Sequence, residues 1–318
     1  MRTGSLWAAS VLLSVPALAA PPEYATSVTA SSPLLWYRFD EASGSAINYG
    51  SLGATFDATY NGTPDRSVAT PGGDTGVGLN QGDWLESGGV SSLTGNPTFS
   101  IEAVVRLDDP GAANLWGPFL HWGSGSTGRE VYFGVEQADN IRLYSGFYNA
   151  GVMSSGRFPG SDWLHVVWTR QGGNNSEVGS SVYVNGKLIA TVRDPNLSPG
   201  FLPATGIDVT PTAFRVNQGR DFLGSRYFTG TLDEISLYDR ILTVEEIQTR
   251  GNLISCPSDY NRDGLSDILD FLDFLDDFGS CEGSPAPCGT LGNPDLNGDT
   301  IVDILDFLDF LDAFGQGC

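Results

Sequence analysis

Two groups of acidic and amide side chains near the C-terminal end of the sequence share one spacing that suits calcium. Each group places oxygen donors at positions 1, 3, 5, 7, 9 and 12 of a twelve-residue EF-hand loop, in which position 7 contributes its backbone carbonyl. The first group comprises Asp259, Asn261, Asp263, Leu265, Asp267 and Asp270. The second comprises Asp295, Asn297, Asp299, Ile301, Asp303 and Asp306. The repetition predicts two bound calcium ions.

Each loop is followed by nearly the same apolar segment, residues 268–279 and 304–315. At 100° per residue, apolar side chains gather on one side of a helix of about three turns and aspartates on the other. The predicted apolar face of the first helix consists of Ile268, Phe271, Leu272, Leu275 and Phe278. No helix is predicted to enter either loop, because Pro257 and Pro294 stand just before them. The region is therefore interpreted as two loop–helix halves.

Two calcium loop–helix repeats without entering helices resemble the dockerin module, which here spans residues 256–318. The resemblance implies a calcium-dependent plug that attaches a secreted, usually polysaccharide-directed protein to a cohesin-type module of a scaffold or cell surface. It also implies a pseudo-twofold surface able to dock in either of two orientations. A train of thrombospondin-type calcium repeats is the alternative, but those repeats lack a three-turn apolar helix after each loop.

The sequence departs from the dockerin pattern in two places. Position 6 is Gly264 in the first loop but Thr300 in the second. That position normally needs a positive φ, which costs a β-branched residue about 1 to 2 kcal/mol, so the second site is expected to be weaker. Just before position 12 the family often has small polar residues, whereas this chain has the apolar pairs 268–269 and 304–305. The predicted docking face is therefore apolar.

The formal net charge of −22 is concentrated at the C-terminal end, where residues 256–318 hold 13 Asp, one Glu and one Arg. Such a composition favours cations and argues against nucleic acid as a partner. The chain has 318 residues, of which 40% are hydrophobic, so it can bury a substantial core and form two domains.

Residues 1–19 have the pattern of a secretory signal peptide, with Arg2, an apolar run and a small residue at the predicted cleavage site, Ala19. We therefore expect a secreted protein, extracellular or associated with a cell surface. The apolar run is shorter than a transmembrane helix, and no later segment approaches 18 apolar residues, so no transmembrane segment is predicted. An uncleaved membrane anchor is the alternative.

All four cysteines lie in the C-terminal region: Cys256, Cys281, Cys288 and Cys318. An even number in an exported module suggests two disulfides, and zinc is the poorer interpretation because no CxxC spacing or neighbouring His exists. In a pseudo-twofold pair with antiparallel helices, the start of the first loop lies near the end of the second helix. The first helix spans about 18 Å, and a disulfide requires Cα atoms within about 7 Å. The favoured pairing is Cys256–Cys318 with Cys281–Cys288.

Residues 24–251 are predicted to be β throughout, with short alternating segments separated by Gly, Asn, Asp and Ser. Residues 99–107 alternate apolar and polar side chains, as do residues 131–135 and 164–168. Asn185-Gly186 predicts a hairpin with a type I′ turn. About a dozen such strands imply a two-sheet sandwich. The one predicted helix begins at the capping box Thr243–Glu246 and ends near Arg250.

Four segments resemble, in order, the laminin-G-like or concanavalin A-like jelly roll of secreted bacterial proteins: residues 35–41, 163–169, 184–187 and 228–243. The fold class is therefore mainly β, a two-sheet antiparallel jelly-roll sandwich with a small α module of two calcium loop–helix repeats. The resemblance does not decide function, because this fold hosts lectins, adhesion domains and glycosidases.

No catalytic carboxylate motif is recognised. The E-x-D-x-x-E strand of jelly-roll glucanases is absent, and Glu130 and Glu136 do not match its spacing. His121 and His165 have no Ser or Cys partner in a recognisable motif, and His165 is expected to be structural. The sequence therefore favours a non-catalytic protein, although a carboxylate pair assembled from separate strands stays open.

Asp233 is a candidate ligand for a third, structural calcium ion. Strand parity places it on the same face as Ile235 and Leu237, and a carboxylate that faces a core must be paired or bound to metal. Related jelly rolls often carry one structural calcium ion that joins the end strands, and Asn48 could be a second ligand. Pairing of Asp233 with an arginine is the alternative.

A glycan-binding face should combine aromatic platforms with polar groups. The candidates are Trp116, Trp122, Tyr132, Glu136, Arg142 and Tyr144. Simple packing of these aromatic residues at a strand edge is the alternative.

The sequence thus favours a secreted, non-catalytic jelly roll (24–251) that binds a polysaccharide or cell-surface glycan and docks through a calcium module (256–318) onto a cohesin-type scaffold. One alternative is a polysaccharide-degrading glycoside hydrolase that uses the jelly roll. Another is a structural surface or adhesion protein.

Overall fold

The computed structural model describes residues 22–70, 74–107, 117–137, 141–156, 163–193, 202–219, 227–255, 258–261, 266–284, 294–296 and 301–316. The predicted signal peptide, residues 1–19, lies outside these ranges. Among the described residues, no helix combines the length and the apolar character needed to cross a lipid bilayer.

The described residues form four α-helices and sixteen strands. The helices are α1 (Pro22–Ala30), α2 (Val244–Ser255), α3 (Ile268–Cys281) and α4 (Ile304–Gln316). The strands are β1 (Leu35–Tyr37), β2 (Ala58–Asn61), β3 (Asp65–Ala69), β4 (Thr75–Leu79), β5 (Trp84–Val90), β6 (Phe99–Leu107), β7 (Gly117–Gly123), β8 (Glu130–Gln137), β9 (Ile141–Phe147), β10 (Ala150–Ser154), β11 (Leu164–Arg170), β12 (Ser180–Val184), β13 (Lys187–Leu188), β14 (Thr191–Arg193), β15 (Ala213–Val216) and β16 (Gly230–Tyr238).

The strands form two antiparallel sheets of eight, which confirms the predicted sandwich. The first sheet has the order β13-β12-β11-β6-β16-β4-β3, with β1 also pairing with β16. The second has the order β14-β10-β9-β8-β7-β15-β5-β2. Neighbours that are far apart in sequence, such as β6 and β16, are typical of a jelly roll.

The hydrophobic core lies between the two sheets and follows the predicted alternation. In β6 the inward residues are Phe99, Ile101, Ala103, Val105 and Leu107, all buried. From β11, Trp168 packs edge-on against Phe99, with ring centroids 4.9 Å apart. At about 25 cal/mol per Å² of buried apolar area, residues of this size contribute much of the stability of the sandwich.

The predicted hairpin joins β12 and β13. Asn185 and Gly186 have φ angles of 47° and 79°, as a type I′ turn requires at its two central residues. The turn also packs on α2, since a Cβ added to Gly251 would come within 2.2 Å of the Gly186 nitrogen. The sequence signal is therefore confirmed, and tertiary packing holds the turn in place.

Two helices cover the outer face of the first sheet. Only α2 was predicted, and it runs five residues beyond Arg250, to Ser255. Helix α1 corrects the prediction that the region from Tyr24 onward is all β. Tyr24 and Val28, one helical turn apart, are fully buried beside Val104 of β6. Burial of this stripe on the sheet outweighs the β-branched residues that weaken the helix signal in α1.

Strand β16 contains a bulge that corrects the predicted orientation of Asp233. The register with β6 shifts by one residue between Asp233 and Ser236, and Glu234 has a φ of 51°. Leu232 and Ile235 both enter the core, so the two acidic residues between them lie away from it. Asp233 is therefore not on the same face as Ile235 and Leu237.

Helices α3 and α4 confirm the predicted helical segments but correct the predicted face. Phenylalanines pack between the helices, together with Tyr260. Ile268 and Leu272, predicted to share one apolar side with Phe271 and Phe278, are 61% and 53% exposed. Asp270, Asp277 and Asp306 are instead buried. The ring pairs Phe271–Phe314, Phe274–Phe310 and Phe278–Phe307 run in opposite directions along the two segments, so α3 and α4 are antiparallel.

Candidate functional site

Polar and aromatic side chains form a row across the outer face of the second sheet. The strand registers place Glu86 of β5 opposite Arg215 of β15, Arg215 opposite His121 of β7, and His121 opposite Tyr132 of β8. Their neighbours Leu85, Phe214 and Val131 enter the core, so alternation directs the row outward. Four strands therefore contribute to one polar row.

Arg215 is fixed from three sides. Its Nε donates to Glu86 Oε2 at 2.5 Å, and its Nη1 donates to Gln218 Oε1 at 2.9 Å. Its guanidinium lies 4.8 Å from the ring centroid of Trp84. The Arg215 and Glu86 side chains remain 18% and 33% exposed. This group, defined here as the Trp84 array (Trp84, Glu86 and Arg215), is accessible and preorganised.

A second polar contact lies beside the array. His121 Nε2 is 2.8 Å from Glu130 Oε1, and both residues are buried. The contact joins β7 to β8 on the outer face of the sheet. Burial of both groups indicates that this contact serves mainly to position neighbouring strands.

The predicted glycan face is not assembled as one exposed surface. Trp122 is fully buried in the core, where its Nε1 donates to the Leu93 carbonyl, because alternation in β7 turns it inward. This placement removes Trp122 from the predicted face. Trp116 lies outside the described residues.

The other predicted glycan residues do lie on the outer face, but most are covered. Tyr132 and Tyr144 pack edge to face at 5.5 Å and are 8% and 4% exposed. The Tyr144 hydroxyl lies over Gly151 and donates to the Phe147 carbonyl. Glu136 is fully buried, and only Arg142 is partly exposed. The two tyrosines therefore pack against the sheet, as the alternative interpretation expected.

The Trp84 array was missed by sequence reasoning. The signal was the alternation Trp84-Leu85-Glu86, which places an aromatic and a carboxylate on the same face of one strand. Its partner Arg215 comes from a strand 129 residues away in sequence, and only the fold brings them together.

Three carboxylates lie together beside the bulge of β16. Oxygens of Asp74, Asp233 and Glu234 lie within 4.8 Å of one another. Arg38 is the adjacent cation, at 3.1 Å from Glu234 and 3.3 Å from Asp74. Trp36 Nε1 donates to the other oxygen of Glu234 at 2.5 Å. Asp233 accepts the Glu234 backbone N–H at 2.8 Å.

The electrostatics of these carboxylates suit a divalent cation. Burial, and then the charge of Glu234, raise the pKa of Asp233 well above its ordinary range. Burial raises the pKa of Glu234 to about 7, although Arg38 opposes the shift. A bound hard cation would stabilise the ionised forms of Asp233 and Glu234 and so lower both pKa values. Because calcium prefers carboxylate oxygens, the donor set fits calcium. Asp74 and Glu234 were not predicted as ligands, because the bulge that aligns them is invisible in the sequence.

Asn48, the second predicted ligand beside Asp233, has another role. Its Oδ1 accepts the backbone N–H groups of Trp36 at 2.8 Å and Gly50 at 2.9 Å. Because both bonds hold the turn that follows β1, this oxygen is committed to the backbone. The prediction of Asn48 as a calcium ligand is therefore corrected.

The predicted ligands of the C-terminal loops are described in part. Asp270 accepts the N–H groups of Asn261 at 2.9 Å and Asp267 at 2.8 Å, while Asp306 accepts that of Asp303 at 2.9 Å. Asp259, Asp295 and Ile301 are also described. Asp263, Leu265, Asn297 and Asp299 lie outside the described residues, as do Cys256, Cys288 and Cys318; Cys281 is buried. The two calcium sites and the disulfide pairing stay predictions.

His165 lies in a buried ionic cluster under α1 and α2. Its Nε2 is 3.1 Å from Glu102, whose carboxylate also accepts Arg250 Nε at 2.8 Å and the Tyr238 hydroxyl. Burial opposes ionisation of Glu102, but Arg250 and His165 outweigh it and hold its pKa below the ordinary value. This environment fits the structural role expected for His165.

Comparison with known proteins identifies one family. Residues 78–248, more than half of the chain, match the family described as the concanavalin A-like lectin/glucanases superfamily. A search of the curated proteins found no match.

Several solved structures are similar to this chain. Domain 4 of a GH43 extracellular arabinanase from Geobacillus stearothermophilus, in complex with arabinotriose, is 14% identical with a TM-score of 0.48, covering 69% of this chain and 98% of that one. A Trypanosoma rangeli sialidase in complex with sialic acid is 18% identical with a TM-score of 0.47, covering 70% and 33%. The binding domain of Paraclostridial Mosquitocidal Protein 1 is 14% identical with a TM-score of 0.49, covering 74% and 55%. The alignment thus spans about a third of the sialidase chain.

Proposed function

Because the chain belongs to the concanavalin A-like lectin/glucanases superfamily, we propose that it is a secreted, non-catalytic carbohydrate-binding protein. The observation that carries the proposal is the Trp84 array on the outer face of the second sheet. We further propose that the C-terminal module docks it, with calcium, onto a cohesin-type scaffold.

The array has the three groups that a sugar ring needs. The partly exposed indole of Trp84 offers an apolar surface to ring C–H groups, and Glu86 accepts hydrogen bonds from hydroxyls. Arg215 donates through a guanidinium that is already held by Glu86 and Gln218. Preorganisation of this kind reduces the entropy lost on binding. A neutral or acidic glycan fits the array better than a cationic one.

The geometry gives less support to hydrolysis. Glycosidases place two carboxylates about 5 to 10 Å apart. Glu130 and Glu136 lie at opposite ends of β8, about 20 Å apart at the rise of a strand. Glu86 is engaged by Arg215 in the array, which suits binding more than proton transfer.

A glycan array followed by calorimetric titration tests the binding proposal. We expect at least one polysaccharide to bind, and Trp84→Ala to weaken it roughly tenfold or more, since an aromatic anchor contributes above 1 kcal/mol. Tyr49→Ala is the matched control, because Tyr49 is 48% exposed and packs edge-on against Trp36, a residue of β1 in the first sheet. No ligand on the array, unchanged affinity in Trp84→Ala, or released reducing sugar would each contradict the proposal.

The docking part is supported by the duplicated loops and by the antiparallel α3–α4 pair. Immobilised cohesin modules should retain the full chain in calcium and release it in EDTA, because carboxylate ligands repel one another without the ion. Failure of every cohesin to retain the chain in calcium contradicts this part alone. Peptide mapping without reduction should show Cys256 linked to Cys318 and Cys281 linked to Cys288.

A third calcium ion is proposed at Asp74, Asp233 and Glu234. These residues would supply carboxylate oxygens, and the ion would join the bulge of β16 to the segment before β4. Its role would be structural, since it would hold two acidic groups that burial otherwise disfavours.

A further inference from the structure

The two C-terminal helices expose a large set of aliphatic side chains. Seven of them are between 39% and 61% exposed: Ile268, Leu269, Leu272, Ile304, Leu305, Leu308 and Leu311. Scattered exposed aliphatic residues are ordinary, but a contiguous apolar patch on a soluble domain marks an interaction surface.

At 100° per residue, five of the seven side chains fall on the same side of the inward phenylalanines: Ile268, Leu272, Ile304, Leu308 and Leu311. Leu269 and Leu305 fall at the outer edges of the helix pair. The rings of Phe274 and Phe310, which occupy equivalent positions of the repeat, stack on each other, and the flanking ring pairs are exchanged between the repeats. This pattern defines a pseudo-twofold axis perpendicular to the plane of the antiparallel pair. In each helix a leucine follows an inward phenylalanine by one residue, about 100° round the helix. A twofold axis so placed keeps both leucines, Leu272 and Leu308, on the same side.

Carboxylates border this apolar surface on both helices. Asp276 of α3 and its equivalent Asp312 of α4 lie one turn after Leu272 and Leu308, and both are exposed. Asp309 is exposed and Asp273 half-buried on the same flanks. Residues 256–318 carry 13 Asp, one Glu and one Arg. Even two bound calcium ions would leave the module strongly negative.

The negative charge of these carboxylates decides which kind of partner fits the exposed surface of α3 and α4. A second copy of the chain would bring two acidic borders together within the Debye length of about 8 Å at physiological salt, where repulsion is only weakly screened. A partner with basic residues beside an apolar strip would instead gain complementary contacts.

We propose that this α3–α4 surface receives a protein whose own surface is an apolar strip bordered by Lys or Arg, and that it engages both helices at once. This inference rests on the proposed docking function and specifies the chemistry of the partner. Hydroxyl-based recognition has no role in it, because the central positions are aliphatic.

A pair of synthetic amphipathic helices tests the proposal on the full chain. One peptide has a leucine face and a lysine face, and the other replaces every lysine with glutamate. We expect the Leu–Lys peptide alone to bind in calcium, with affinity that falls as salt rises. Leu272→Ser and Leu308→Ser should each weaken it roughly five- to thirtyfold, which shows that both helices take part. Asp276→Asn/Asp312→Asn should weaken it without altering an apolar contact.

Val90→Ser is the control, because Val90 is 56% exposed on β5 of the second sheet, outside the helices. Equal binding of both peptides, or full binding by Leu272→Ser/Leu308→Ser with intact helical circular dichroism, overturns the proposal. A concentration-dependent dimer that this double variant abolishes would assign the surface to a second copy instead. If immobilised cohesin modules retain the Leu272→Ser/Leu308→Ser variant as well as the unmodified chain, the docking function stands and this inference fails.

Discussion

Phe274 and Phe310, equivalent residues of a repeat of 36, stack face to face with ring centroids 4.1 Å apart and an interplanar angle of 2°. Because each ring contacts its own counterpart, the two helices meet through the symmetry of the duplicated sequence. The halves differ at a few positions, among them Asp277 in α3, which corresponds to Ala313 in α4, and position 6 of the preceding loops.

The loops differ at position 6, which gives a prediction for calcium affinity. If both loops follow the EF-hand pattern, glycine at position 6 (Gly264) would take the required positive φ without strain, whereas threonine there (Thr300) would cost about 1 to 2 kcal/mol. We expect a tight first site and a second site that is roughly five- to thirtyfold weaker. Isothermal titration of Thr300→Gly should show the second site tightened by that factor, and Asp259→Ala should abolish the first. An unchanged second site in Thr300→Gly would refute the strain argument.

The carboxylates beside the β16 bulge predict calcium stabilisation of the sandwich itself. At free calcium of 100 times Kd, binding to the folded state alone adds about 2.7 kcal/mol. The C-terminal module contains no tryptophan, so thermal unfolding followed by tryptophan fluorescence reports on the sandwich. The calcium-dependent rise in Tm should disappear in Asp233→Asn. It should persist in Asp208→Asn, a control whose side chain is 63% exposed; loss in both variants would argue against this site.

The buried pair Glu102–Arg250 predicts strong coupling. Glu102→Gln should destabilise the protein by about 3 to 5 kcal/mol, because it leaves the Arg250 guanidinium buried without its carboxylate. Arg250→Met in the same background should recover part of that loss. Urea denaturation of both single variants and the double variant measures the coupling. Strictly additive losses would mean that the pair does not act as a unit.

Glu246 predicts a weakening of α2 in acid. Arg240 donates to it at 2.5 and 2.8 Å, and these bonds, with those of Thr243 and Ser31, lower its pKa to about 2. A lowered carboxyl pKa stabilises the fold above the ordinary value near 4.5, and this contribution is lost as pH falls towards 2. Since Glu246 is partly exposed, Glu246→Gln should cost only about 1 kcal/mol at pH 7 and less at pH 3.

The matched control is Glu245→Gln, an exposed neighbour in the same helical turn. Its effect in urea denaturation should be small and nearly independent of pH. A cost for Glu246→Gln that stays constant between pH 7 and pH 3 would show that the cap, and not the charge, supplies the stabilisation.

Local patterns were sufficient to predict most of the sandwich. Alternation in β6 identified the inward residues, and Asn185-Gly186 identified the hairpin turn, because both signals depend on neighbours in sequence. Helix α1 was missed, since its burial depends on Val104 and Ile254, which are distant in the chain. The reversal at Asp233 was missed because one extra residue in β16 changes parity without a glycine to mark it.

The candidate site was harder to predict for the same reason. Aromatic residues in strands suggested a glycan face, but alternation alone does not tell which outward side chains other groups cover. Tyr132 and Tyr144 are buried against neighbouring side chains and glycines, while the accessible Trp84 array depends on the pairing of β5 with β15. Long-range strand pairing therefore determined the site.

The contact between α1 and α2 also determines how the sandwich would be presented. Arg250 reaches Ser27 and Ser31, so the first and last helices of the sandwich lie together on the outer face of its first sheet. The Trp84 array lies on the opposite side, on the outer face of the second sheet. A tether attached at either end of the sandwich would therefore hold it by the face that carries α1 and α2. The Trp84 array would then point away from the anchoring surface.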